Sequence, residues 1–139
     1  MRLYLDTNML IAIVTGKRDR IDDDTSEILF DYSNLLYTSA ACVHELIYLL
    51  QAGKVERGKD WRKGETVLER IAGFEIEVVP IDAKHLAEEE RLPLLERHKD
   101  PIDRLIVAHA IADKAMLVSS DGEFPRYVKY GLLLHRNWI

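Results

Sequence analysis

Four acidic residues each adjoin a strongly apolar run. Asp6 follows Leu3-Tyr4-Leu5, Glu45 precedes Leu46-Ile47, Asp103 leads into Leu105-Ile106-Val107, and Asp121 follows Leu117-Val118. They are far apart in the chain, but if the apolar runs pack together their carboxylates converge. A dry cluster of carboxylates repels itself and calls for a divalent cation with hard oxygen ligands. That is the equipment of metal-assisted phosphodiester hydrolysis. Asn8 stands close enough in sequence to Asp6 to assist, and Asp100 stands beside Asp103.

Each acid also has an ordinary reading. Asp6 can cap the helix that follows it. Asp100 suits an N-cap before Pro101, and Asp103 suits a first helical turn, where the helix dipole favours negative charge. Asp121 before Gly122 fits a turn. Glu45 is harder to dismiss. It interrupts Ala40–Leu50, an otherwise apolar stretch, and a buried unpaired carboxylate is costly. It is a rim residue, an ion-pair partner or a ligand.

The elements that must position these side chains alternate. Residues 2–5 read as a strand and residues 7–14 as a helix. A charged loop follows from Gly16 to Asp24. A helix capped by Asp24 or Thr25 runs to Ser33, and a strand spans 35–38. Ser39 caps a helix to about Ala52, which Gly53 stops. A helix is expected from Asp60 to Ala72, a strand over 75–79, a helix capped by Asp82, and a helix from Pro101 to Lys114. Strands over 117–119 and 132–135 close the chain. Strands alternating with helices imply an α/β fold, a parallel sheet with helices on both faces. Ligand sites in such sheets lie beyond the carboxyl ends of the strands, where Asp6 and Asp121 fall.

The chain has 139 residues, enough for one domain over residues 1–139, and 47% are hydrophobic. No run approaches the roughly 18 apolar residues that a membrane span requires. The first residues enter a strand with no sign of a secretory leader, and Cys42 is the single cysteine. A cytoplasmic setting is expected, without disulfides or a cysteine-based zinc site. The net charge of −5 excludes broad basic capture of nucleic acid, so phosphate contacts must be local. Lys17, Arg18 and Arg20 are candidates, as are Lys59, Arg62 and Lys63 around Trp61. No nucleotide-cradling glycine loop or nucleophile elbow occurs, and the histidines lack zinc spacing.

Taken in order, the blocks Leu3–Ile11, Ser39–Leu46, His98–Ala110 and Leu117–Phe124 resemble the motifs of PIN domains, the nuclease domains of VapC-type toxins in toxin–antitoxin pairs. The resemblance implies a three-layer α/β/α fold around a central parallel sheet. It implies Asp6, Glu45, Asp103 and Asp121 as metal-binding catalytic acids, Mg²⁺ or Mn²⁺ as cofactor, and Ser119, which stands where a threonine is common, as an assisting hydroxyl. It further implies an RNA substrate cut to leave a 3′-hydroxyl and a 5′-phosphate, a protein antitoxin, and pairing into a homodimer. Two other functions stay open: an inert PIN-like scaffold that only binds a partner, and a metal-dependent phosphatase. The phosphatase needs an essential lysine beside paired acids, which the sequence does not display.

Overall fold

The computed structural model describes residues 1–98 and 100–139; Lys99, within the third motif block, lies outside the described residues. Five parallel strands form one sheet: β1 (Arg2–Leu5), β2 (Leu35–Ser39), β3 (Ile76–Val79), β4 (Met116–Ser119) and β5 (Leu133–Arg136). Their order is β3-β2-β1-β4-β5. The chain steps outward from β1 through β2 to β3, then returns to build β4 and β5 on the other side of β1. The reversal lies between β1 and β4, and a parallel sheet opens a crevice there beyond its carboxyl ends.

Six α-helices cover the sheet: α1 (Thr7–Val14), α2 (Asp23–Leu29), α3 (Ala40–Gln51), α4 (Val67–Gly73), α5 (Ala83–Arg91) and α6 (Pro101–Ala112). The result is the three-layer α/β/α arrangement. Every residue of α1 is buried except Asn8, so that helix is held by core packing rather than by propensity. Ser39 caps α3 through the Ala41 amide. Asp100 caps α6, accepting from the Ile102 and Asp103 amides at 2.9 and 3.2 Å. No helix among the described residues is long and apolar enough to cross a membrane.

Several boundaries differ from expectation. Asp22, not Asp24 or Thr25, caps α2 by accepting from the Thr25 amide at 2.7 Å, and the helix ends at Leu29 rather than Ser33. The helix expected from Asp60 starts only at Val67, capped by Thr66. The preceding segment is a loop closed by Gly64 at φ +84° and pinned by Trp61, which is buried and donates to the Glu65 carbonyl. The charged loop contains one turn of 3₁₀ helix, Arg18–Arg20, and a second 3₁₀ helix, Phe124–Tyr130, was not anticipated.

At the end of α6 opposite Asp103, Asp113 ties three elements together. Its buried carboxylate accepts from the Tyr4 hydroxyl on β1, the His85 Nε2 on α5 and the Lys84 ammonium. The His85 tautomer follows from geometry, because its Nδ1 accepts the Asp82 amide in the cap of α5. The ring therefore donates through Nε2. His109 lies against the His85 ring at 3.7 Å between centroids, and burial pushes its pKa down to about 4. Asp113 is partly opposed by desolvation, but Tyr4, Lys84 and His85 hold its pKa down at about 2.

Asp113→Ala should cost on the order of 2–5 kcal/mol, because two buried donors, on Tyr4 and His85, lose their acceptor. Its folded-state pKa is depressed below the unfolded value. This stabilisation is therefore present above pH 4 and lost only as the pH falls toward 2. Urea unfolding at pH 7 and pH 3 measures both. A loss under 1 kcal/mol at pH 7 contradicts the anchoring role.

Candidate active site

The crevice at the β1–β4 reversal collects three of the four predicted acids. Asp6 is the N-cap of α1 and is 4% exposed. Its Oδ1 accepts the Met9 amide at 2.9 Å, and its Oδ2 accepts the Ser119 hydroxyl. Ser119 ends β4, and its Oγ also accepts the Asp121 amide at 3.0 Å. One hydroxyl thus couples the acid after β1 to the acid after β4. Asp103 projects from the first turn of α6, and its carboxylate and that of Asp121 come within 4.8 Å of each other and of a His98 ring nitrogen.

The electrostatics follow from burial without compensation. Desolvation is the largest influence on Asp6. It outweighs the Ser119 and Met9 hydrogen bonds, and the charges of Asp121 and Asp103 add to it, so its pKa rises to about 6. Asp103 also rises to about 6, from desolvation first and the Asp100 charge second. Among the described residues, no lysine or arginine forms an ion pair with Asp6, Glu45, Asp103 or Asp121. A pocket of crowded carboxylates lacking a countercharge fits a hard divalent cation.

Glu45 lies on α3. It is half-buried, one turn beyond Cys42, and its charge reaches the same thiol that senses Asp6. Burial is the main reason that thiol is pushed up to about 12, which leaves Cys42 inert. Asp100 is a cap at the helix start and acts on the site through its charge on Asp103. Asn8, exposed on α1, shares a shallow depression with Ser120 and Arg20. Lys17 and Arg18 line a different depression, with Arg57 and Lys59. The Arg18 guanidinium stacks on Phe30 at 4.3 Å. Of the three basic candidates in the charged loop, Arg20 alone lines the depression shared with Asn8.

His98 was not among the expected site residues. It is 6% exposed, and its Nε2 lies 3.2 Å from Asp103 Oδ2 while its Nδ1 lies 2.6 Å from the Tyr127 hydroxyl. A short antiparallel bridge between Leu95 and His98 sets its position. Zinc-ligand spacing gives no signal for it. The available signal was its place at the start of the His98–Ala110 block, five residues before Asp103.

Comparison with known proteins agrees with this architecture. The fold is shared with VapBC2 of Rickettsia felis, solved bound to a promoter DNA fragment (22% identity, 99% of each chain, TM-score 0.68). It is shared also with FitAcB of Neisseria gonorrhoeae (20% identity, 98% of each chain, TM-score 0.63). A third example is DNA-bound VapBC of Salmonella typhimurium (19% identity, 98% of each chain, TM-score 0.62). No curated protein sequence matches significantly. A family model for the PIN domain matches residues 3–130, which contain every acid of the crevice, and the chain belongs to the PIN-domain family.

Proposed function

We propose that the chain is an endoribonuclease that depends on Mg²⁺ or Mn²⁺ and is the toxin of a toxin–antitoxin pair. The observation that carries this reading is the uncompensated cluster of Asp6, Asp103 and Asp121 at the sheet's reversal point. Asp6, Asp103 and Asp121 would hold the cation, with Glu45 closing the rim. When bound, the cation supplies Lewis-acid polarisation of a phosphate and a more acidic attacking water. The chain itself fixes Asp6 through the Met9 amide and the Ser119 hydroxyl, and places His98 against Asp103.

The structural neighbours support the partner assignment, since their VapBC and FitAB names denote toxin–antitoxin complexes. An antitoxin segment reaching this crevice would need a cation of its own to meet the acids. Pairing with a second copy of this chain is part of the same reading. Phe30 is 40% exposed and Tyr48 is 56% exposed, apolar surface that a homodimer covers. Sedimentation at micromolar concentration should show the dimer, and a lone monomer there removes this element. The phosphatase alternative loses ground, because among the described residues no lysine pairs with these acids.

Asp103→Asn should abolish metal-dependent RNA cleavage and leave α6 intact, because Asp100 supplies the cap. Asp100→Ala should cost about 0.5–2 kcal/mol of stability and retain cleavage wherever the fold holds. It should also lower the Asp103 pKa by removing a neighbouring charge. Gel assays with and without Mn²⁺ decide the matter. Near-normal cleavage by Asp103→Asn together with a folded, dead Asp100→Ala reverses the assignment, and no cleavage by the wild-type chain leaves the inert scaffold.

The pH response separates the metal-free and loaded states. Asp6 and Asp103 have folded-state pKa values raised to about 6, above the ordinary aspartate value of 3.8. Their ionisation therefore destabilises the metal-free fold fully above pH 6, and that cost is relieved as the pH falls through 6 toward 4. In EDTA, the melting temperature should rise between pH 7.5 and 5.5. Saturating Mn²⁺ should add about 2–3 kcal/mol at roughly a hundred times its dissociation constant, and this gain should shrink over the same interval as the ligands protonate. Calorimetry showing equal melting with EDTA and Mn²⁺ at pH 7.5 would falsify a preformed metal site.

A further inference from the structure

Arg136 is the last residue of β5 and is paired in register with Ser119, the hydroxyl that holds Asp6 and the Asp121 amide. Parallel neighbours in register present their side chains on the same face, about 4.8 Å apart. The Arg136 guanidinium reaches the loop after Asp121. Its Nη2 would lie 3.4 Å from a Cβ placed on Gly122, so glycine there leaves the side chain its room. Among the described residues the buried Nε has no hydrogen-bond partner and no carboxylate pairs with this arginine. Beside a crevice of acids, an arginine without an anion is held for something else.

Among the described residues its strong contact is aromatic. The guanidinium carbon lies 4.0 Å over the Trp138 ring. Trp138 is 74% exposed, yet its backbone is rigidly tied. Its amide donates to Asp22 Oδ2 at 2.7 Å. The preceding Asn137 is 1% exposed, and its amide donates to the Ser119 carbonyl at 2.8 Å. The Asn137 side chain accepts from the Asp22 amide and donates to the Arg20 carbonyl, both at 2.8 Å. A buried hydrogen-bond network therefore displays an indole to solvent, backed on one face by a guanidinium. Core packing does not explain a tryptophan held this way. Such a pair matches an unpaired nucleotide, with a base stacking on the free ring face and a phosphate meeting the cation.

We propose that Arg136 and Trp138 bind a single-stranded RNA nucleotide flanking the scissile phosphate. The base stacks on Trp138, and Arg136 contacts the adjoining phosphate. This rests on the nuclease reading of the neighbouring acids, and it explains how an acidic protein grips a polyanion at that place.

The test uses the full chain and a short fluorescein-labelled single-stranded RNA of mixed sequence, in Ca²⁺ and in Mn²⁺, with the same sequence as a duplex for comparison. In Ca²⁺, single-stranded RNA should quench the exposed indole emission. Trp138→Ala should remove that quenching and weaken RNA binding about 5- to 150-fold, the range that stacking of one base accounts for. Trp138→Phe should restore most of the affinity. Arg136→Ala should weaken binding, and Arg136→Lys should recover little of it, because lysine lacks the planar cation. Duplex binding and the Mn²⁺-induced melting shift should be unchanged in all four variants. Wild-type RNA affinity in Trp138→Ala overturns the proposal, as does equal loss for the duplex, and points to a protein partner for this surface. Collapse of the melting shift also overturns it, since the pair would then be propping up the acids. The two readings fail separately. Trp138-dependent binding without cleavage in Mn²⁺ removes the nuclease and keeps this contact, whereas cleavage with Trp138-independent binding does the reverse.

Discussion

The architecture turns on one unfavourable placement, a carboxylate buried where β1 meets β4 with no cation beside it among the described residues. Asp6 is 4% exposed and has two hydrogen-bond donors, and these are not enough, since its pKa still rises to about 6. Removing a charge from water costs more than two neutral donors return. The surroundings must therefore over-determine its position. β1 is hydrogen-bonded on both sides, the Asp6 amide donates to Val118 on β4, and α1 is buried along all but one residue. A frame built that firmly can hold charges in the arrangement that a cation, not the protein, completes.

Asp113 shows the same chemistry resolved the other way. It is the C-cap of α6, lies about 15 Å along that helix from Asp103 by helical rise, and is 7% exposed. It is ringed by Tyr4, His85 and Lys84, which drive its pKa down to about 2. Burial does not distinguish the two aspartates; the supply of donors does. His85, His109 and Asp113 stand close enough to suggest a metal, but the His85 Nδ1 is occupied by the Asp82 amide. That places a proton on the nitrogen facing Asp113, and the group reads as a finished structural joint. The crevice at Asp6 is the unfinished one.

Much of this was legible because local and tertiary signals agreed. The bounds of α1 follow from Asp6 and the apolar run behind it, and Asp100-Pro101 and Ser39 announce α6 and α3. The alternation of strands and helices carried the parallel sheet. Where tertiary contacts decided, the sequence was silent or misleading. Asp60–Thr66 has helical composition, but burying Trp61 under the stacked guanidinium groups of Arg57 and Arg70 holds it as a loop. The 3₁₀ helix Phe124–Tyr130 begins beside Pro125 and ends at Gly131 with φ +106°. No hydrophobic period marks a segment that short. His98 reaches Asp103 through a bridge that only the folded loop creates. Lys17 and Arg18 line one depression and Arg20 another, across a single 3₁₀ turn, so adjacency in the chain does not fix which surface a side chain reaches.

The charge balance explains why recognition at this site has to be short-ranged. With a net charge of −5 and its acids gathered at the crevice, the protein repels a polyanion at long range. A bound cation reverses the field only locally. Affinity must then come from contacts that act within a few ångströms, namely a guanidinium fixed beside the crevice and an aromatic face held in place before the ligand arrives. Rigidity matters more here than the number of positive charges, because ordering a flexible lysine offsets much of what its charge contributes. The network through Asn137 and Asp22 has that effect on the strand next to Ser119. It removes the ordering cost in advance, at the same carboxyl end of the sheet that positions the acids.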